Sequence, residues 1–180
     1  HGDTAVDSHL ELPLVEHPPD RIRRVECVPF RQAIAADVAF IMTAHVLVPS
    51  LDETCPATLS SRVVHEMLHT ELGYRGVVLS DDLEMRAIAA SYTVPDAAVR
   101  AIAAGCDGVL ICSGDPDVQA ETLEALVRAV EDGRIPYPRL EDALARQRRA
   151  KSRFLSRPSS APGRLGDVVG CDAHRRIADE

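Results

Sequence analysis

Two short segments carry the residue types that could do chemistry. In Asp7-Ser8-His9 a carboxylate stands two residues ahead of an imidazole, in a stretch that opens His1-Gly2-Asp3-Thr4. A carboxylate at that distance can orient the ring and stabilise its protonated form, giving a group able to donate a proton and recover it. In the second segment the apolar run Val77-Val78-Leu79 after Gly76 leads into Ser80-Asp81-Asp82. A buried parallel strand has this pattern when it delivers a reactive acid at its carboxyl end. Strand alternation then sends one acid of the pair to the pocket and the other to its supporting shell. Each segment also has a plainer reading. Ser80-Asp81-Asp82 could simply cap a following helix, and Asp7-Ser8-His9 could be a polar surface loop.

The elements that must position these groups follow from periodicity. Residues 1–20 read as a loop, with glycine and Pro13, Pro18 and Pro19. Asp20 is expected to cap a helix over 21–36 that Pro29 interrupts. Residues 37–46, 76–80 and 107–112 read as apolar strands, with Asp107 taken as a strand start. Between and after them lie helices over 61–72 (capped by Ser60, ended by Gly73), 96–104 (ended by Gly105), 119–131 (ended by Gly133) and 140–155. The last has Arg146, Arg148, Arg149, Lys151 and Arg153 toward its end, which suits the helix dipole. Strands alternating with helices imply parallel βαβ units with cover on both faces. Three strands are few for such a sheet, and its edges would be bare. From residue 156 the chain becomes rich in Ser, Pro and Gly, so a flexible tail is expected over 156–180 after a domain over 1–155.

A third motif competes. His65-Glu66-Met67-Leu68-His69 places two histidines at i and i+4, as zinc ligation requires, with Glu66 as a general base. A metalloprotease of that kind needs a third ligand, and the extended motif fails because Leu72 and Arg75 stand where glycine and histidine belong. A surface helix with chance histidines is the bland alternative. His45, at the end of the first apolar run, either lines the pocket or is a satisfied core histidine. Leu83 and Met85 read as packing, and Asp115 and Asp117 as solvated turn residues.

Composition narrows the classes. Of 180 residues, 46% are hydrophobic and 27% charged, the balance of an ordinary globular chain. Net charge is −8 and no basic stripe with interleaved aromatics occurs, which argues against nucleic acid as partner. No apolar run approaches the roughly 20 residues of a membrane span. The odd count of 5 cysteines, without paired spacing, argues against a disulfide framework and for a reducing compartment, hence a cytoplasmic expectation. Cys106 and Cys112 read as buried thiols.

"HGDTAVDSHLELPLV", "IMTAHVLVPSLD", "PATLS", "ELGYRGVVLSDDLEMRAIA" and "AGCDGVLIC" occur in that order. At this spacing they resemble the β-N-acetylhexosaminidase branch of glycoside hydrolase family 3, over about residues 1–130. The resemblance implies an α/β fold of (β/α)8 barrel type, of which this chain supplies strands six to eight and begins inside the loop after strand five. Position by position it implies Asp81 as nucleophile, His9 as acid/base and Asp7 as its dyad partner, in a retaining double displacement without metal or organic cofactor. The usual retaining pair is two carboxyl groups, so the histidine is a departure. A less negative pocket repels an anionic acceptor less, which leaves phosphorolysis open beside hydrolysis. The implied substrate is terminal N-acetyl-β-glucosamine, for instance from cell-wall muropeptides.

The departures are informative too. Of the family's Lys-His-Phe-Pro-Gly-His-Gly, this chain holds the closing His1-Gly2, so the Lys-His pair that contacts the sugar is absent, as are an aspartate and an arginine from earlier barrel loops. No substrate-binding residue is therefore assigned beyond His45. The expectation is little or no activity unless another half, or a second copy, completes the barrel. A non-catalytic barrel fragment is the alternative.

Overall fold

The computed structural model describes residues 1–155 and 169–179. The chain falls into two compact units, His1–Ala150 and Lys151–Glu180. In the first, the three apolar runs form parallel strands β1 (Phe40–Met42), β2 (Val77–Asp82) and β3 (Gly108–Leu110), hydrogen-bonded in the order β1-β2-β3. Helices connect them, as parallel pairing requires. The fold is α/β, as expected.

The helix before β1 is composite. Pro19–Arg21, a wider turn with π spacing at Ile22–Glu26, and Cys27–Ala35 together form α1. The expectation of an Asp20 cap and a break at Pro29 is corrected. Pro19 opens the helix, a position that suits its fixed φ, and Asp20 lies inside the first turn. Pro29 falls in the first turn after the widened segment, where its ring and missing N–H are tolerated. The next helices are α2 (Arg62–Glu71), whose turns have the wider π spacing, α3 (Arg86–Ala89), α4 (Val94–Ala104), α5 (Pro116–Glu131) and α6 (Tyr137–Leu155). Ser60 accepts the Val63 N–H at 3.3 Å at the start of α2. Thr93 rather than Asp96 caps α4, accepting the Asp96 N–H at 3.3 Å. Gly73, Gly105 and Gly133 follow their helices at positive φ, as read from the sequence.

Two strands are shorter than their apolar runs. Asp37 turns the chain at φ 57, and pairing with β2 begins at Phe40. β3 ends at Leu110, so Cys112 is exposed rather than buried, while Cys106 is buried as expected. Leu83 and Met85 are packed in the core.

The sheet's two faces differ. Ile41 and Val78 pack with Val64 and Leu68 of α2 and with Ala97, Ala98 and Ala101 of α4 in the main core. Phe40 and Met42, which flank Ile41 in β1 and pair with Val77 and Leu79, are 48% and 54% exposed. By strand alternation they lie on the other face, which is open at this edge strand, whereas Val77 on the same face of central β2 is buried.

At the opposite end of the strands from Asp81, α6 is clasped to the sheet. Asp107 has a fully buried side chain, accepts the Val78 N–H at 2.9 Å and pairs with Arg139. Arg139 and Arg146 share Asp142 at 2.7 and 2.9 Å, and Gln147 donates to the Asp107 carbonyl. The arginines of α6 thus do more than complement a dipole, and Asp107 is an ion-pair residue.

Of the second unit, 151–155 complete α6, and Asp172–Ala178 forms the helix α7. The flexible tail expected over 156–180 lies, for 156–168, outside the described residues; α7 was not foreseen. No helix among the described residues is long and apolar enough to cross a membrane.

Candidate active site

The Asp7-Ser8-His9 turn is built by its own backbone. The Leu10 and Glu11 N–H groups donate to the Asp7 carbonyl at 2.9 and 3.2 Å. Ser8 is buried, and Asp7 and His9 face outward. His9 contacts the Asp7 Oδ1 twice, by its backbone N–H at 2.9 Å and by Nδ1 at 2.8 Å. The backbone bond, then the ring bond, hold the Asp7 carboxyl below the usual carboxylate range. The hydrogen bond to Asp7, then its charge, raise His9 above the ordinary imidazole value, with smaller contributions from Asp81 and Asp82. The contact with Asp7 thus favours the protonated ring.

The loop is tied to the other segment. The Ser8 carbonyl accepts the N–H of Ala87, at the start of α3, at 3.2 Å. Farther along, Leu47 donates to Pro13 and Val15 to Leu47, both at 2.8 Å, which docks residues 13–15 beside the chain leaving β1. The Asp7–His9 loop is therefore bonded to the segment that follows β2, and residues 13–15 to the segment that follows β1.

Asp81 lines a cavity of about 280 Å³ with His1, Met42 and Thr43. Its Oδ1 accepts the Asp82 N–H at 2.8 Å. Asp82 has the supporting role that alternation assigns to one of the pair: its Oδ1 accepts the N–H of Glu84 at 3.1 Å and of Cys112 at 3.3 Å, joining the loops after β2 and β3. Glu84 reinforces that junction by accepting the Ser113 N–H at 2.7 Å. The helix-cap reading of Ser80-Asp81-Asp82 is not what the fold uses, since all three lie in β2.

Ser80 has a function that sequence reading missed. Three residue steps of β2, Leu79 to Asp82, oppose two of β3, Gly108 to Leu110, so the ladder is irregular just before the acids. The buried Ser80 Oγ accepts the Leu110 N–H at 3.0 Å and fills the gap. A serine between an apolar run and two acids is the only signal, and it reads equally well as a cap.

His45 is fully buried. It bonds Thr58 through Nδ1 at 2.8 Å and the Asp82 carbonyl through Nε2 at 2.9 Å. Burial lowers its pKa, opposed by the Asp82 carbonyl and the charges of Asp81 and Asp82. It is a satisfied interior histidine rather than a pocket-lining one.

The zinc arrangement does not form. His65 and Glu66 are exposed, whereas His69 is buried. His69 lies with Nδ1 3.2 Å from the Tyr74 carbonyl and Nε2 3.0 Å from that of Gly105. Each ring nitrogen faces a backbone carbonyl, so an N–H on either one has an acceptor and the ring packs α2 against the turns before β2 and β3. No group of three or more His, Cys, Asp or Glu among the described residues could hold a metal.

Comparison with known proteins places this geometry. Residues 1–150 match the glycosyl hydrolase family 3 N-terminal domain. β-Hexosaminidase A of Pseudoalteromonas piscicida is 32% identical over 197 residues, which is 100% of this chain and 33% of that protein. A β-hexosaminidase of Alkalilimnicola ehrlichii is 40% identical over 132 residues, 73% of this chain and 36% of its own length. The structure of a family 3 β-N-acetylglucosaminidase from Paenibacillus sp. str. FPU-7 aligns with a TM-score of 0.90 at 42% identity, covering 99% of this chain and 34% of that one. The chain therefore spans about a third of the length of the curated relatives it matches. With residues 1–150 matched and relatives this similar, the chain belongs to glycosyl hydrolase family 3.

Proposed function

We propose that this chain carries the reacting groups of a retaining β-N-acetylhexosaminidase, with Asp81 as nucleophile, His9 as acid/base and Asp7 as its partner. The observation that carries the reading is the 2.8 Å Asp7–His9 contact on a loop bonded, through Ser8, to the segment that follows Asp81. In the first step the Asp81 carboxylate attacks the anomeric carbon. The glycosidic bond breaks, and the His9 imidazolium gives its proton to the departing oxygen. In the second, neutral His9 takes a proton from water, whose oxygen attacks the anomeric carbon and releases Asp81 from its glycosyl ester. Asp7 stabilises the imidazolium at both ends of this cycle. The names of the relatives support terminal N-acetyl-β-glucosamine as the sugar, with muropeptides as one source.

The strands are read as the last three of a (β/α)8 barrel. In its support, Asp81 stands at a carboxyl end, where barrel enzymes keep their chemistry, and the exposed face of Phe40 and Met42 is one that a closed barrel would cover. Full activity on this reading needs the remaining strands, from another polypeptide segment or another copy.

Release of an aryl alcohol from its N-acetyl-β-glucosaminide tests the proposal, with Asp81→Asn and an EDTA-treated sample alongside. Turnover should survive EDTA and fall by about a thousandfold or more in the variant. Persistence in Asp81→Asn would remove the nucleophile assignment. No release from a folded wild-type chain would mean that it is not itself an enzyme. Product analysis in phosphate buffer separates free sugar from sugar phosphate.

A further inference from the structure

We propose that His45 is a positioning residue for the nucleophile: its Nε2–H holds the carbonyl of Asp82 and so fixes the backbone on which Asp81 is mounted. This rests on the reading of Asp81 as nucleophile. The argument begins with the irregular ladder. Between Leu79 and Asp82 the β2–β3 register shifts, so regular sheet bonds do not define the backbone that carries Asp81. Side chains take their place. Ser80 bonds Leu110, Asp81 bonds the Asp82 N–H, and the Asp82 carboxylate bonds the Glu84 and Cys112 N–H groups. His45, from the chain leaving β1, takes the Asp82 carbonyl.

The direction of these bonds is determined. A carbonyl can only accept, so Nε2 carries a proton. Burial favours the neutral ring, which leaves a lone pair on Nδ1 to accept the Thr58 hydroxyl. The Thr58 oxygen in turn accepts from Thr43, 2.9 Å away. A weaker option for the Thr58 proton, the Ala44 carbonyl, is longer at 3.2 Å. The chain thus runs Thr43 to Thr58 to His45 to Asp82, the Asp82 carbonyl selects the Nε2–H tautomer, and the Thr58 hydroxyl matches it by donating to Nδ1. Thr58 is itself fully buried in the short helical turn Ala57–Leu59, whose Ala57 N–H bonds the Val46 carbonyl at 2.8 Å. Two separate segments, the chain leaving β1 and the Ala57–Leu59 turn, therefore converge on the Asp82–Leu83 peptide, one residue beyond Asp81.

The test uses the full chain as wild type, His45→Leu, His45→Gln and Thr58→Val. Long-range ¹⁵N NMR of histidine-labelled protein should show His45 neutral and protonated at Nε2 at pH 7 in wild type, and the same form in Thr58→Val, where the Asp82 carbonyl still accepts from Nε2. The ¹³C carboxyl resonance of Asp81 should move in His45→Leu and return toward wild type in His45→Gln, which keeps a donor. Where aryl glycoside turnover is measurable, kcat should fall about ten- to a hundredfold in His45→Leu with KM within about twofold, the signature of a displaced reacting group, and recover partly in His45→Gln. An imidazolium or an Nδ1–H ring in wild type, or an unmoved Asp81 resonance in folded His45→Leu, overturns the proposal. If Asp81→Asn keeps full turnover, the nucleophile reading fails separately, whatever the NMR shows about the His45–Asp82 bond.

Discussion

Asp7 acts on His9 through contact rather than burial. The His9 side chain is 73% exposed, yet its pKa is raised, chiefly by the hydrogen bond to Asp7 and the Asp7 charge. Replacing Asp7 with Asn keeps an acceptor but removes the charge, so the midpoint should fall toward the ordinary 6.5. Histidine NMR titration reads this directly, and an unmoved midpoint would show that Asp7 does not tune the ring. On the proposed mechanism, the imidazolium that His9 would need for the first step is lost on the alkaline side. The alkaline limb of kcat/KM should therefore move to lower pH in Asp7→Asn. The same sign holds for folding. A histidine raised in the folded state contributes stability below its unfolded value and loses it as pH rises through the folded one. For so exposed a pair that contribution is small.

At the opposite end of the strands, stability rather than chemistry sets the residues. β2 and β3 begin where α6 reaches in: Asp107 pairs with Arg139, and Arg146 donates to the Gly76 carbonyl at 3.2 Å. Removing one member of a buried pair leaves the other charge without compensation. Asp107→Ala should lower unfolding stability by about 3–5 kcal/mol. Asp142, on the outer side of the same arginines and 45% exposed, is screened by water, and Asp142→Ala should cost about 1 kcal/mol or less. Urea unfolding of the two variants measures the difference. Equal losses would show that burial of Asp107 is not what makes the clasp strong. The separation of roles within β2 follows: its first residues are held by an ion-pair cluster, its last by single hydrogen bonds that aim a carboxylate.

Among the described residues, the sheet is covered on one face, and on the other its edge strand β1 lies open while Val77 of β2 is buried. A parallel sheet is ordinarily covered on both, and exposed apolar residues on an open strand promote association. Phe40 and Met42 are the exposed residues in question. Wild type should therefore self-associate with rising concentration in sedimentation velocity, and the double variant Phe40→Lys, Met42→Lys should remain at lower mass. Equal behaviour of the two would place the association elsewhere or exclude it. Relatives about three times as long supply further chain that could cover this face, in keeping with the barrel proposed above.

Much of this was legible in the amino-acid order, because local rules govern it. Apolar runs gave three parallel strands, glycines ended α2, α4 and α5, and the two acids after Ser80 fell at a strand's carboxyl end. The Asp7–His9 contact was readable as well, since it spans two residues and closes within one turn. What required the folded chain was every bond between residues far apart in sequence. His45 meets Asp82 37 residues away, Ser80 meets Leu110 30 away, and Asp107 meets Arg139 32 away. His69 showed the converse, a residue whose i, i+4 spacing suggested zinc until the Tyr74 and Gly105 carbonyls claimed its ring. Periodicity specifies which face of an element is apolar, and a motif specifies which side chains could react. The partner of a buried polar group depends on which distant backbone packing brings within about 3 Å, and that is decided when the elements assemble.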